Sequence, residues 1–149
     1  MLTMLRDRRG YSMTFWALYI GFVAVPILAL AIDLGRFFYA KAEVGKAADA
    51  AALAGAAYVD FEYFRDTGNI RLLPDASSWA SYYAAVNSTY LSQFGIHPAV
   101  TGMQVDSSNQ TVTVTVSANV SALFPSVVPQ VVVFERGRAQ IRGLTRGGP

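Results

Sequence analysis

The pattern of apolar and polar positions divides the chain into an uncharged N-terminal run and a mixed remainder. Residues 11–32, which we call the uncharged run, read YSMTFWALYIGFVAVPILALAI and contain no formal charge. At a rise of about 1.5 Å per residue they form a helix of roughly 33 Å, which matches a hydrocarbon core of about 30 Å. The pattern predicts one membrane-spanning helix over residues 11–32, in preference to a buried core helix.

The charges around this run indicate its orientation. Arg6, Arg8 and Arg9 precede it, and Lys and Arg are sparse over the next two dozen residues. By the positive-inside rule, the N-terminus is expected in the cytoplasm, with residues 1–10 as a basic leader. A cleaved secretory signal is the alternative, but its apolar core is usually about 7 to 15 residues long. We therefore expect an anchor that stays in place.

After the uncharged run, the sequence becomes rich in alanine with interspersed charge, which is strong helix-forming material. The helix is expected to continue outside the lipid over residues 33–64. Phe37, Phe38 and Tyr39 suit the headgroup region, because aromatic side chains are enriched at membrane interfaces.

Small residues along this long helix are candidates for close packing against another helix or a sheet. Within the span, one glycine permits close approach and one proline removes a backbone hydrogen bond and favours a kink. Farther along, small residues recur at i, i+4 and i+8. An alternative is that alanine is abundant only because it is the best helix former. The candidate packing residues are Gly21, Pro26, Gly35, Ala47, Ala51 and Gly55.

Residues 65–149 are predicted to form a small ectodomain that begins with a connection and a second helix. Turn residues and Pro74 indicate a connection over residues 66–74. The second helix should begin after Asp75 as N-cap and stop at Gly95. Its predicted apolar stripe, expected to pack inward, consists of Trp79, Tyr82 or Tyr83, Val86, Tyr90 and Phe94.

Beyond Pro98 the period of the pattern changes to two, which predicts strands. Residues 110–121 alternate valine or alanine with threonine, serine or asparagine. Residues 101–105 should pair with them as a hairpin, and residues 130–141 should add a third strand. The predicted fold class is therefore α+β: a long N-terminal transmembrane helix that continues into an alanine-rich helix, then a second helix and a three-stranded antiparallel sheet.

Composition argues against catalysis and against nucleic-acid binding. The formal net charge of +2 arises within the first ten residues, so it reports topology and not a basic surface for nucleic acid. There is no cysteine, and His97 is the single histidine. A zinc site, a cysteine nucleophile or a Ser-His-Asp constellation therefore cannot be built in the ordinary way. Asp60, Glu62 and Asp66 lack the loop spacing of a calcium motif. We expect no catalytic, metal or cofactor site.

The join between span and ectodomain resembles the TadE/TadG-like family of tight-adherence (Flp) pilus-assembly proteins. The resemblance rests on RRGYSMTFWAL at residues 8–18, on the central proline, and on AIDLGRFFYAKAEVGKAADAAALAGAA at residues 31–57. The family-motif positions are Asp33, Gly35, Arg36 and Asp49. The resemblance implies a bacterial inner-membrane protein of pseudopilin type, with one span, its ectodomain outside, and no catalytic role.

Relatives in this family also resemble type IV prepilins, which are cut after a glycine. Gly10 followed by Tyr11 would be such a site here, because it comes after Arg8 and Arg9. The fifth residue beyond the cut would be Phe15, where prepilins have glutamate. Prepilin-type cleavage between Gly10 and Tyr11 is therefore a candidate that departs from the pattern.

Three functions remain open at this point. The first is a membrane-anchored assembly component whose partners are the membrane and other pilin-like or pilus-assembly subunits, with homo- or hetero-oligomers formed through the N-terminal helix. The second is a filament subunit that leaves the membrane, which could place it in an extracellular pilus. The third is a single-span extracytoplasmic binding module. The first is favoured.

Overall fold

The structure is a computed structural model that describes residues 8–123 and 130–143, with side chains from residue 12 onward. Within these ranges the elements are four helices and three strands, and the chain divides after Arg36 into two compact units. The predicted leader falls largely on residues 1–7, outside the described residues. The elements are α1 (Arg8–Ala57), α2 (Phe61–Thr67), α3 (Ala76–Asn87), α4 (Thr89–Ser92), β1 (Ala99–Asp106), β2 (Thr111–Val120) and β3 (Val131–Gln140).

The first unit contains the part of α1 that carries the uncharged run. α1 is assigned as one helix across Pro26, although proline cannot donate the i to i−4 hydrogen bond. The backbone of Gly10 and Tyr11 belongs to the first turn of α1. Large apolar side chains of this part are exposed along its length, with Phe22 at 85%. An apolar helix with this exposure is suited to an apolar environment and not to water.

The second unit is built on an antiparallel sheet in the order β1-β2-β3. Hydrogen bonds to Asp106 close the turn between β1 and β2. β2 is the central strand, and its register pairs Val112 with Val105 on one side and with Ala139 on the other. The predicted α+β class and the three-stranded antiparallel sheet are confirmed. The alternation also appears as predicted, since one face of β2 is buried: Val112, Val114, Val116, Ala118 and Val120.

The alanine-rich part of α1 covers this buried face. Small side chains let the helix approach so closely that Gly137 of β3 lies against the backbone of Ala48. Farther along, the position of a β-carbon on Gly55 is 3.2 Å from the Met103 methyl carbon and 3.5 Å from a Val112 methyl carbon. We call the buried face of this part of α1 the alanine seam; it comprises Ala40, Val44, Ala47, Ala48, Ala51 and Ala52, all at 0% exposure.

α1 ends earlier than predicted. It stops at Ala57 instead of Phe64, and Val59 then forms a bridge with Leu72. The Asp60 side chain accepts a hydrogen bond from the Tyr63 amide at 2.9 Å and so caps a separate helix, α2. Gly68 ends α2 in the left-handed conformation that glycine adopts without strain. A local cap therefore overrides the helical propensity of residues 58–64.

The second predicted helix is also divided. α3 begins after Asp75, as predicted, but the Asp75 side chain makes no capping hydrogen bond. The helix ends at Asn87, and α4 is a separate short turn. The buried Ser88 hydroxyl donates to the Ala84 carbonyl oxygen at 2.8 Å, which is the serine back-bonding that disturbs helices. Gly95 has a positive φ of 69°, and the Ile96 amide donates to the Leu91 carbonyl, so the predicted stop at Gly95 is present.

The predicted inward stripe of this helix was wrong. Its aromatic members and Val86 are exposed, whereas Ala76, Ala80 and Ala84 are buried and face β1, against which α3 packs. Alanines at i, i+4 and i+8 let α3 lie close to the strand, and the large rings cannot fit in that narrow space. The ring side of α3 therefore points outward.

Candidate membrane and assembly surfaces

The uncharged run is the first candidate surface. The helix from Ser12 to Ala57 is long and apolar enough to cross a membrane, and none of its most apolar window is buried. Trp16 and Tyr19 contact each other edge to face, with ring centroids 5.9 Å apart. Since this surface is apolar on all sides, it fits lipid or the apolar helices of other subunits.

Two glycines of α1 are open, Gly21 within the uncharged run and Gly35 three residues beyond its end. A β-carbon on Gly21 or on Gly35 would meet nothing within 4 Å. Within the described part of the chain, these glycines therefore support no close packing. They leave two shallow places where a neighbouring helix could approach the α1 backbone.

The family-motif residues lie in different surroundings. The Asp33 side chain is buried, at 3% exposure, and one of its oxygens lies 3.7 Å from an Arg36 guanidinium nitrogen one turn later. This ion pair joins two of the three charged positions of the motif across Gly35. Asp49, by contrast, is exposed on the solvent side of the seam. The structure thus pairs Asp33 with Arg36 and leaves Asp49 apart from them.

Three other packing candidates lie in the alanine seam or next to it. Ala47 and Ala51 are fully buried, and Gly55 lies against Met103 and Val112. Their small size serves a contact inside this chain, between α1 and its own sheet. The seam is therefore not free for a helix of another subunit.

A cluster of exposed rings on α3 was not anticipated as a surface. The Trp79 ring stacks on Tyr58 with centroids 5.6 Å apart and an interplanar angle of 13°. Tyr82 and Tyr83 contact the same indole at 5.8 and 6.2 Å. We call these four residues the Trp79 cluster. The sequence contained a signal for it, because Ala76, Ala80 and Ala84 repeat the small-residue spacing that was read as a packing face in α1.

Two of the three carboxylates that were weighed as a metal site, Asp60 and Asp66, are used in local structure. Asp60 caps α2 and forms an ion pair with Arg71, whose guanidinium also lies 4.2 Å from the Tyr63 ring centroid. The hydrogen bond from the Tyr63 amide, followed by that from Arg71, lowers the pKa of Asp60. Asp66 lies 3.5 Å from Arg65. Among the described residues, no group of three or more histidine, aspartate or glutamate side chains could hold a metal ion.

One comparison with known proteins gave a match, and the match lies on α1. Residues 10–57 match the family described as putative Flp pilus-assembly TadE/G-like. The match covers less than half of the chain; it begins two residues after the start of α1 and ends with α1 at residue 57. A comparison with curated proteins found no match, and neither did a comparison with solved structures.

Proposed function

We propose, from the TadE/G-like match of residues 10–57, that this pilus-assembly-related chain is a membrane-anchored, pseudopilin-like component of tight-adherence pilus assembly. The observation that carries the proposal is that the matched segment is α1, whose apolar surface is exposed. The chain acts through contacts between helices and between folded units, and not through catalysis. Its N-terminus lies in the cytoplasm and its C-terminal unit lies outside the inner membrane.

In this proposal, the uncharged run contacts the apolar helices of other subunits. The alanine seam already packs on the chain's own sheet, so it cannot also bind a second subunit. Gly21 is open and lies within the run, where a close backbone approach is worth most, because helices in lipid associate through packing and not through the hydrophobic effect. Homo- or hetero-oligomers would therefore form at the level of the membrane.

The test is removal of the gene from its host, followed by restoration of the wild-type chain or of a chain with Gly21→Ile. We expect removal to abolish surface pili and surface adhesion, the wild type to restore both, and Gly21→Ile to restore them poorly. Val23→Ile is the matched control, because residue 23 lies on the opposite side of the helix. Normal pili after removal would contradict the proposal.

A filament subunit is the second candidate, favoured by the same exposed apolar helix and by Gly10 and Tyr11 at its beginning. The intact mass of the protein in native membranes and in sheared surface material separates the two functions. A chain that begins at Tyr11 and is found in sheared material would support the filament. A chain that retains residues 1–10 and stays with the membrane would support the anchored component.

A further inference from the structure

β3 is the last strand of the sheet, and one of its two edges pairs with no described residue. β2 pairs with β3 over its full length without a register shift, and the Ile141 amide continues the ladder by donating to the Gln110 carbonyl oxygen at 2.8 Å. Backbone groups of successive residues in a strand point to opposite sides, so the odd-numbered residues of β3 bond to β2 and the even-numbered ones point away. Within the described part of the chain, no backbone hydrogen bond from outside the sheet reaches these even-numbered residues.

The same even-numbered residues carry an ordered set of side chains on the exposed face of the sheet. Val132 and Phe134 are 48% and 62% exposed, and the exposed residues Arg136 and Arg138 follow them. The residues of β2 that pair with the two arginines are threonines, which bring no charge. We call Val132, Phe134, Arg136 and Arg138 the β3 edge. Along the strand it reads apolar, apolar, basic, basic at alternate positions.

The two arginines of the β3 edge form no ion pair with a described residue. Glu135, the acid of this strand, lies on the other face, and its carboxylate is 3.6 Å from the Lys41 ammonium. On β1, the Asp106 carboxylate accepts hydrogen bonds from the β1–β2 turn. The described carboxylates nearest along the sheet therefore have other partners, and two neighbouring guanidinium groups remain unpaired.

We propose that the β3 edge binds an extended acidic segment of a different protein, which adds to the sheet as a fourth strand. The outward backbone groups supply hydrogen bonds, and the side chains select the sequence. Opposite side chains in an antiparallel pair have β-carbons about 4.5 to 5.5 Å apart, so carboxylates opposite Arg136 and Arg138 form ion pairs. Antiparallel pairing is the more stable per residue. In that direction the segment carries two acidic residues, then two apolar residues, at alternate positions.

The sequence of this chain argues against a second copy as the partner. Asp60 and Glu62 are its only acidic residues two positions apart. They lie at the start of α2, where Asp60 caps the helix and pairs with Arg71. No strand carries more than one acid within the described ranges. Charges on an edge strand discourage unspecific pairing, and only a segment of opposite charge reverses that effect. The inference does not rest on a role in pilus assembly.

The test uses the full chain in nanodiscs and two synthetic peptides. The peptide TETETVTV places glutamates opposite Arg138 and Arg136 and valines opposite Phe134 and Val132, with threonines at the positions that face α1. The peptide TKTKTVTV is its charge-reversed counterpart. Calorimetry should show binding of the first and not of the second. In amide hydrogen exchange, the Arg136 and Arg138 amides should slow on binding, whereas the Gly137 amide, which faces β2, should not change.

Variants test the role of the arginines. Arg138→Glu should weaken binding of TETETVTV about fivefold, because an attractive cross-strand pair becomes repulsive. Arg65→Glu is the matched control, since it makes the same change of charge on α2 and should leave binding unchanged. The double variant Arg136→Glu with Arg138→Glu should reverse the preference and bind TKTKTVTV. Unchanged exchange at Gly137 checks that each variant keeps its sheet.

Three outcomes would overturn the inference. Binding of neither peptide would reject the β3 edge as a docking site. Displacement of TETETVTV by dextran sulfate, without slower exchange at Arg136 and Arg138, would show that the arginines bind anions and that no strand is added. Slow exchange of these two amides without peptide, lost on dilution, would show that a second copy occupies the edge. All three are independent of the gene-removal test of the proposed function.

Discussion

Gly137 of β3 lies directly against the peptide that joins Ala48 to Asp49 in α1. A β-carbon built on Gly137 would overlap the Ala48 carbonyl group and would lie 2.5 Å from the Asp49 amide nitrogen. Both neighbours are helix backbone, which cannot turn aside as a flexible side chain can. The distance between helix and sheet is therefore fixed by the absence of a side chain at residue 137.

Gly137→Ala should destabilise the C-terminal unit by about 1 to 3 kcal/mol or more, because the helix must move away from the sheet to admit one methyl group. Urea unfolding of the full chain in nanodiscs, followed by near-ultraviolet circular dichroism, measures the change in the free energy of unfolding. Gly102→Ala is the matched control: it is also in a strand, but its β-carbon would meet nothing within 4 Å. Equal stability of the two variants would disprove the close contact.

Ala80→Leu should destabilise the unit more than Trp79→Ala does, although the second change removes far more apolar surface. Ala80 is fully buried, so a leucine there overpacks the contact between α3 and β1 by about 1 to 3 kcal/mol. Trp79 is exposed, so its loss opens no cavity in the contact between α3 and β1 and removes only surface contacts with neighbouring rings. Thermal unfolding of the two variants gives the order, and the reverse order would show that the indole is buried.

Gly21→Ile should weaken association of the span in membranes without changing the stability of the C-terminal unit. The glycine is open within this chain, so a larger side chain costs nothing until another helix approaches. Energy transfer between donor- and acceptor-labelled chains in vesicles measures association, with Val23→Ile as control. Unchanged energy transfer in both variants would exclude Gly21 from the helix contact.

Asp106 should make stability depend on pH in the acid range. Hydrogen bonds from the Ser108 hydroxyl, the Asn109 side chain and backbone amides lower the pKa of Asp106 to about 2 from 3.8. Because the folded pKa is depressed, this carboxylate contributes stability that is present above pH 3.8 and is lost as the pH falls toward 2. Asp106→Asn should therefore be less stable than the wild type near neutral pH. Its stability should also fall less than that of the wild type between pH 4 and pH 2.

The pH prediction is measured as the unfolding midpoint of the full chain from pH 7 to pH 2. Asp66→Asn is the control, because it removes an exposed carboxylate without removing the hydrogen bonds of the β1–β2 turn. Parallel curves for wild type and Asp106→Asn would mean that these hydrogen bonds do not persist in solution.

Much of the architecture could be predicted from periodicity, because strands and helices bury residues at fixed intervals. The valines of β2, the hairpin and the long first helix were evident in this way. The end of α1 was not, since the bridge from Val59 to Leu72 depends on a residue brought close by folding. The division at Ser88 likewise depends on burial of one hydroxyl group.

The aromatic surfaces were missed for a different physical reason. Hydrophobicity alone ranks Trp79 and Tyr82 as core residues and Ala80 as neutral, but the width of the gap between α3 and β1 decides which side chains fit. Close packing selects alanine, and the rings are left outside. The roles of Gly21, Gly35 and the candidate Gly10–Tyr11 cleavage site stay predictions, since they depend on other molecules.

The alanine seam also has a consequence for synthesis. It belongs to α1 and so leaves the ribosome well before β3, the strand whose Gly137 it contacts. During translation the alanine seam therefore stays uncovered until β3 has been synthesised. Alanine side chains expose little apolar area and favour a local helix over strand pairing. The uncovered seam therefore does not promote aggregation through strand pairing. The valine-rich strands emerge later, when a helical surface is already in place to receive them.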